Sequence, residues 1–136
     1  LWRPSVMASE LRVNTLKDAS GNNSVAMQYV AEGSAKSWCN FNGESTIAIR
    51  DSLNVASLTD DGTGDYRTNF SSSMSNANFS GLVMSGTVTE GGGTMQRDEE
   101  VRGISSSHLG MYAYHTSNEA ARDVEYFATS IHGDLA

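Results

Sequence analysis

The sequence predicts an all-β fold, an antiparallel β-sandwich of jelly-roll type preceded by an extended N-terminal arm. Short segments in which apolar and polar residues alternate recur along the chain, and turn sequences such as Asn42-Gly43 separate them. Ser, Gly, Asn and Thr make up 53 of the 136 residues, yet the chain also has two Trp, five Tyr and four Phe. Because disordered chains lack aromatic residues, we interpret the small polar residues as the uncharged surface of a folded sandwich.

Residues 1–31 are predicted to form the arm, and residues 32–136 the sandwich domain. Leu11 and Val13 alternate with polar residues, which is the period of a strand, and a cluster of turn residues follows at 19–24. A single short strand is not stable alone, so it must pair with another chain or with the body of the domain. We therefore expect Leu11, Val13 and Leu16 to dock the arm on a neighbouring protein.

The predicted strands of the sandwich alternate apolar and polar residues, and they cover 33–42, 47–49, 53–59, 66–70, 81–89, 104–108, 111–115 and 123–132. In the first of them Trp38 and Phe41 point to opposite faces, and Asn42-Gly43 predicts a hairpin after it. Tyr66 and Phe70 share one face of their strand, which follows a tight turn with the sequence D-D-G-T-G-D. These assignments predict a core made from alternate residues of each strand.

Three segments are predicted to lie outside the strands. Residues 71–80 are small and polar, which is typical of a loop. The charged segment 94–103 is expected to be exposed or turning, and 116–122 is the only stretch with a helical pattern.

Composition excludes several classes of function. The chain has 9 Lys and Arg against 16 Asp and Glu, a net charge of -7, and its cations are scattered, so a nucleic-acid partner is disfavoured. No apolar run reaches the roughly 18 residues of a membrane span, so membrane insertion is not expected. The single cysteine, Cys39, excludes an internal disulfide framework, and it is expected to be a small buried residue.

The sequence contains no constellation that indicates catalysis, a cofactor or a metal site. The three histidines match no zinc spacing, and nucleophile-elbow and phosphate-loop motifs are absent. The acidic segment 60–65 could begin a calcium loop, but its first Gly is third in the segment, which does not fit the order of an EF-hand. We interpret it as a hairpin turn in which Gly supplies positive φ.

Two blocks of sequence are familiar together: G-S-A-K-S-W-C-N-F-N-G at 33–43 and T-D-D-G-T-G-D-Y at 59–66. They resemble a domain that recurs in fibre and appendage proteins of tailed phages, marine phages especially, where the pattern is roughly G-x-A-K-x-W-x-N-F-N-G followed by T-D-N-G-T-G-D-Y. The segment 10–23 is similar to the short N-terminal segment of such proteins, and the resemblance ends near residue 81. The sequence departs from the family's pattern in three places. Asp61 replaces the usual Asn of the second block, and Ala56 replaces a Ser that usually stands shortly before this block. Glu44-Ser45, which follows the first block, also differs from the pattern.

The resemblance implies a virion structural protein on the outside of the particle, without catalytic residues. Such a subunit is expected to form a homotrimer, to dock on other virion proteins through its arm, and to contact a glycan or protein of the host surface. Trp38, or a surplus apolar face of a strand, would then be buried between chains. Tyr112, Tyr114 and Tyr126 are the candidates for recognition, unless they belong to the core or to a subunit interface. A head fibre or capsid decoration protein, a carbohydrate-active enzyme and a lectin-like module remain as alternatives.

Overall fold

The computed structural model describes residues 11–86, 97–115 and 118–136, and it confirms the predicted β-sandwich. The elements within these residues are β1 (Thr15–Lys17), β2 (Ser24–Ala26), α1 (Met27–Gly33), β3 (Ser37–Asn42), β4 (Ala48–Leu53), β5 (Val55–Gly62), β6 (Asp65–Phe70), β7 (Ser80–Gly86), β8 (Arg97–Ser105), β9 (His108–His115) and β10 (Tyr126–His132).

Two four-stranded antiparallel sheets face each other. The first sheet has the strand order β4-β3-β10-β7, and the second sheet has the order β5-β6-β9-β8. The chain passes from the first sheet to the second at Asn54, which has a φ of 55° between β4 and β5. The Asn54 side chain accepts a hydrogen bond from the backbone N–H of Ser72 and donates one to the Ser72 carbonyl, at 2.7 and 3.0 Å. This pair of bonds fixes the crossing point of the two sheets.

The core lies between the sheets and follows the predicted alternation. Phe41 of β3, Tyr66 of β6 and Phe127 of β10 are fully buried, and their rings form one cluster. The rings of Phe41 and Phe127 are stacked with centroids 5.3 Å apart, and the ring of Tyr66 meets both edge-on at 5.5 Å. Trp38 lies on the opposite face of β3 from Phe41, as predicted, and it is half-buried.

The two sequence blocks at 33–43 and 59–66 meet in this core. The hydroxyl of Tyr66, from the second block, lies 2.6 Å from the carbonyl oxygen of Gly43, from the first, and 2.8 Å from Oδ1 of Asp123. The same Asp123 oxygen accepts the backbone N–H of Gly64 at 2.8 Å. Gly64 has a φ of 69°, and a Cβ there would lie 2.4 Å from the carbonyl oxygen of Ala113, so this position requires glycine. The blocks are therefore determinants of the fold.

The N-terminal segment differs from the extended arm that the sequence predicts. The strand at Thr15–Lys17 pairs with Ser24–Ala26 of the same segment, so this hairpin needs no strand from elsewhere. The helix Met27–Gly33 follows directly, and its sequence M-Q-Y-V-A-E consists mostly of residues that tolerate helical conformation well. None of its residues is buried.

Three other sequence predictions are wrong within the described residues. The charged segment from 97 to 103 is part of β8 and not a turn, because it pairs with β9, although Glu100, Arg102 and Gly103 are exposed as expected. The predicted strand 104–108 is the reversal between β8 and β9, with the turn at Ser106-Ser107. Residues 118–122 are not helical, because Ala121 forms a bridge with Tyr114. The predictions for residues 1–10, 87–96 and 116–117 fall outside the described residues.

Candidate functional site

Tyr112 and Tyr114 lie side by side on the outer face of the second sheet. Both belong to β9, in which Leu109, Met111 and Ala113 point into the core, so the two tyrosines point away from it. Their ring centroids are 5.9 Å apart and the rings are tilted by 32°. Two of the three tyrosines that the sequence names as recognition candidates therefore lie next to each other on one surface.

An arginine at a β-bulge lies next to this pair. Val101 pairs with Met111 and Ile104 with Leu109, so two residues of β8, Arg102 and Gly103, oppose the single residue Gly110. Gly103 has a φ of 67°. A Cβ at Gly110 would lie 1.8 Å from the carbonyl oxygen of Arg102, so the close approach of the two strands requires glycine at Gly110.

The Arg102 guanidinium, at the bulge, lies over the ring of Tyr112, with the Cζ atom 4.5 Å from the ring centroid. Arg102 also lies 3.4 Å from a carboxylate oxygen of Glu100 and 3.9 Å from one of Asp65. Its side chain is 55% exposed, so each ion pair contributes little to stability. The contacts instead hold the guanidinium in one place on the surface.

These side chains border a shallow, open pocket of about 320 Å³. We call it the tyrosine pocket. It is lined by Glu100, Arg102, Tyr112, Tyr114 and Glu119. Glu119 lies in a turn with a φ of 54°, where its backbone N–H donates to the carbonyl oxygen of His115 at 2.8 Å. The turn therefore presents a carboxylate at the rim, opposite the strand that carries Glu100.

The chemistry of the tyrosine pocket suits a ligand rich in hydroxyl groups. The tyrosine rings offer apolar faces with a polar tip, the guanidinium of Arg102 offers up to five N–H donors, and the carboxylates of Glu100 and Glu119 are acceptors. Sugars present both apolar C–H faces and hydroxyl groups that donate and accept. One guanidinium and two carboxylates leave the pocket with a net negative charge, which disfavours a polyanionic ligand.

Comparison of the chain with protein-family models, with curated proteins and with solved structures finds no match.

Tyr126 lies on the other side of the molecule from the tyrosine pair. It is on the outer face of the first sheet, where its hydroxyl accepts a hydrogen bond from Asn40 Nδ2 at 2.9 Å. The Arg50 guanidinium lies over its ring, with Cζ 5.5 Å from the centroid. The three tyrosines named from the sequence thus belong to two separate surfaces.

The arm residues lie in the N-terminal hairpin and before it. Leu11 is 81% exposed and Leu16 is 40% exposed, whereas Val13 is half-buried. Leu16 pairs across the hairpin with Val25, which is also exposed. Hydrogen bonds from Asn23, together with the backbone N–H of Asn22, lower the pKa of Asp18 at the turn of the hairpin. The hairpin is thus closed by its own turn and leaves apolar side chains on the surface.

Residues that could have served other chemistry have structural roles. Cys39 is 1% exposed in the core, and burial raises the pKa of its thiol to about 11, so it is a poor nucleophile. Asp61, from the acidic turn, forms an ion pair with Arg67, whose hydrogen bond lowers the Asp61 pKa. Among the described residues no group of three His, Cys, Asp or Glu side chains could hold a metal ion. No helix in the same residues is long and apolar enough to cross a membrane.

The sequence did not indicate Glu100 and Arg102 as site residues, because the charged segment 94–103 is predicted to be exposed or turning, nor Glu119, because it lies in the segment with a helical pattern. The available signal was the glycine pair Gly103 and Gly110, since a glycine within a strand often marks a bulge or a close approach of backbone. A pairing between the two glycines could not be inferred without the register of β8 and β9.

Proposed function

We propose that this chain is a non-enzymatic recognition module, a β-sandwich subunit of a phage virion appendage that contacts a glycan of the host surface through the tyrosine pocket. The observation that carries the proposal is the placement of Tyr112, Tyr114 and Arg102 together on one exposed sheet face, beside the carboxylates of Glu100 and Glu119. The resemblance of residues 10–81 to phage fibre and appendage proteins supports the virion part of the proposal. A tail fibre is the first choice of location, and a fibre or decoration protein on the head is the second.

The pocket supports a sugar in preference to a flat apolar ligand. It is open to solvent and its lining mixes rings with charged groups, whereas sites for apolar small molecules are enclosed and mostly hydrophobic. The rings of Tyr112 and Tyr114 are tilted relative to each other, so they offer a bent platform on which adjacent units of a chain can stack. We expect weak affinity for one copy and stronger binding for several copies on one particle.

The charge of the pocket narrows the class of glycan. Glu100 and Glu119 outnumber Arg102, and Asp65 lies close to Arg102 as well. A neutral or amino-sugar-containing polysaccharide is therefore favoured over a heavily phosphorylated or uronic-acid-rich one.

The test is binding of the purified chain to an array of bacterial surface polysaccharides that contains neutral, amino-sugar and acidic members. We expect binding to at least one neutral or amino-sugar polysaccharide, and a loss of at least tenfold in the variant Tyr112→Ala. The matched control is Tyr126→Ala, which removes a tyrosine from the outer face of the opposite sheet and should leave binding unchanged. Equal binding by wild-type protein and Tyr112→Ala would contradict the proposal.

A carbohydrate-active enzyme is a second candidate, favoured by one observation: Glu100 and Glu119 line the same pocket. Two carboxylates on either side of a bound sugar are the usual catalytic pair of glycoside hydrolases. Release of reducing sugar from the polysaccharide that binds, abolished by either Glu100→Gln or Glu119→Gln, would favour this candidate. Binding without release favours the recognition module.

The proposal also assigns the N-terminal segment to docking. Leu11 and Leu16 expose apolar side chains, and the helix that follows them buries none of its residues. These features fit a segment that packs on another virion protein, and the resemblance to phage fibres implies assembly as a homotrimer on the exterior of the particle.

A further inference from the structure

The outer face of the first sheet carries an unusual number of apolar side chains. Leu53, Trp38, Ser130 and Leu82 follow one another across the four strands, because the register pairs each with the next. In the adjacent row Asp51 and Asn40 precede Ala128 and Met84, so this row is polar on β4 and β3 and apolar on β10 and β7. Leu53, Leu82 and Met84 are 47%, 64% and 66% exposed. We call the surface formed by Trp38, Leu53, Leu82, Met84 and Ala128 the Trp38 face.

β7 has the pattern of a strand that is covered on both sides. Val83 points inward, while Leu82 and Met84 point outward. Val83 packs against the aromatic cluster of the core and against a second buried cluster, which consists of Phe70, Met74, Leu109 and Ile131. A strand with one solvated face alternates apolar with polar residues, and a strand that is apolar on both faces is typical of burial on both. The sequence of β7 therefore indicates that something covers its outer face.

We propose that the Trp38 face is the contact surface between copies of this chain. The charge of the two sheets supports a second copy as the occupant. The strands of the first sheet contain one arginine, Arg50, and one aspartate, Asp51, both on β4, so their charges cancel. The strands of the second sheet contain six Asp and Glu residues against three Arg. Since the chain has a net charge of -7, two copies repel each other least when they meet through the first sheet.

The size of the face also fits a contact between copies. Four strands about 4.8 Å apart and about six residues long form a face of roughly 20 by 20 Å, or about 400 Å². Two such faces bury roughly 800 Å² together, which is the size of a weak, transient contact. A hollow of about 180 Å³ beside Leu82 and Met84 gives the face relief into which an apolar side chain of a second copy can insert. We therefore expect association in the micromolar range.

The Trp38 face would be the contact surface of the oligomer in the proposed function. Its assignment depends neither on the phage origin nor on the tyrosine pocket. The experiment is sedimentation equilibrium of the full chain between about 1 and 200 µM. We expect wild-type protein to form dimers or trimers, and Leu82→Glu/Met84→Glu to raise the dissociation constant at least 100-fold. The control is Ile104→Glu, which adds one of the two negative charges of the double variant, at an apolar residue of β8 that is 45% exposed. This control should associate like the wild type.

A second variant tests the geometry without removing apolar surface. Ser130→Cys places a thiol in the middle of the Trp38 face, and the native Cys39 is buried, so a short bis-maleimide should join copies through position 130. Ser57→Cys, on β5 of the second sheet, is the control and should not be joined. A wild-type chain that is monomeric at 200 µM, or an oligomer that survives Leu82→Glu/Met84→Glu with unchanged affinity, would overturn the inference. Glycan binding by a monomer would leave the proposed function standing while this inference fails.

Discussion

Removing one oxygen atom from the centre of the fold gives the sharpest stability prediction. The hydroxyl of Tyr66 lies 2.6 Å from the Gly43 carbonyl oxygen and 2.8 Å from Asp123 Oδ1, so its one proton is shared between two acceptors. Tyr66→Phe keeps the ring in its contacts with Phe41 and Phe127 but leaves the buried carbonyl of Gly43 without that donor. Asp123 keeps the N–H of Gly64.

The expected loss follows from these contacts. A hydrogen bond to a charged group contributes ~1.5–3 kcal/mol, and an acceptor that remains buried without a donor costs a similar amount. We therefore expect Tyr66→Phe to lower the free energy of unfolding by about 2 kcal/mol. For a chain of 136 residues this corresponds to a fall of about 7 °C in Tm.

The assay is urea unfolding followed by circular dichroism, with Tyr29→Phe as the matched control. Tyr29 is 69% exposed on α1, so the same change there should alter stability by less than about 0.5 kcal/mol. A double-mutant cycle with Asp123→Asn should give a coupling free energy of at least about 0.5 kcal/mol, because the two groups are in contact. A loss for Tyr66→Phe no larger than that of Tyr29→Phe would refute the role given to this hydroxyl.

Three further predictions concern the core and the bulge. The buried thiol of Cys39 has a pKa raised from 9.0 to about 11, so between these values only the thiol of the unfolded state ionises. The free energy of unfolding therefore falls with rising pH, by up to ~1.4 kcal/mol per pH unit. Cys39→Ala should flatten the curve of this free energy from pH 9 to 10, and an unchanged slope would contradict the burial assigned to the thiol. Thr129 Oγ1 is buried without a hydrogen-bond partner among the described residues. Thr129→Val should therefore raise the free energy of unfolding, measured by urea titration, by about 1 kcal/mol. A loss of stability would show that the hydroxyl has a hydrogen-bond partner. Gly110→Ala should destabilise the fold by about 2 kcal/mol or more and abolish glycan binding, because the added Cβ meets the Arg102 carbonyl oxygen. The control is Gly33→Ala, whose Cβ meets nothing within 4 Å. It should change the free energy of unfolding by no more than about 1 kcal/mol and the affinity for glycan by no more than about twofold.

The sandwich and its core could be predicted from the sequence because both depend on local alternation. Period-two alternation predicts that Phe41 lies opposite Trp38 and that Tyr66 and Phe70 share one face, and the structure buries Phe41, Tyr66 and Phe70. Glycine-rich turns such as Thr63-Gly64 also have a local cause, since only glycine adopts the φ of 69° that this turn needs without strain.

The candidate site could be predicted only in part, because it depends on register. Tyr112 and Tyr114 are two residues apart on one strand, so their shared face follows from the sequence. The contact of Arg102 with Tyr112 depends on the register in which β8 pairs with β9. The separation of Tyr126 depends on which sheet β10 joins, and this is fixed by pairing with β3 and β7, far away in the sequence.

The helix α1 was missed for a different reason. Its seven residues follow a short hairpin and bury nothing, so no apolar periodicity marks them. The segment 116–122 has a composition that favours a helix, but residues 118–122 instead form a turn and a bridge to β9, so tertiary pairing outweighs local propensity there.

The most direct test of the recognition role is a backbone amide NMR titration of the full chain with a polysaccharide that binds on the array. We expect no shift changes above background on the outer face of the first sheet. The changes should be concentrated at the residues that line the tyrosine pocket, Glu100, Arg102, Tyr112, Tyr114 and Glu119. Shift changes centred on the Trp38 face, or spread evenly over both sheets, would contradict the assignment of the tyrosine pocket as the glycan site.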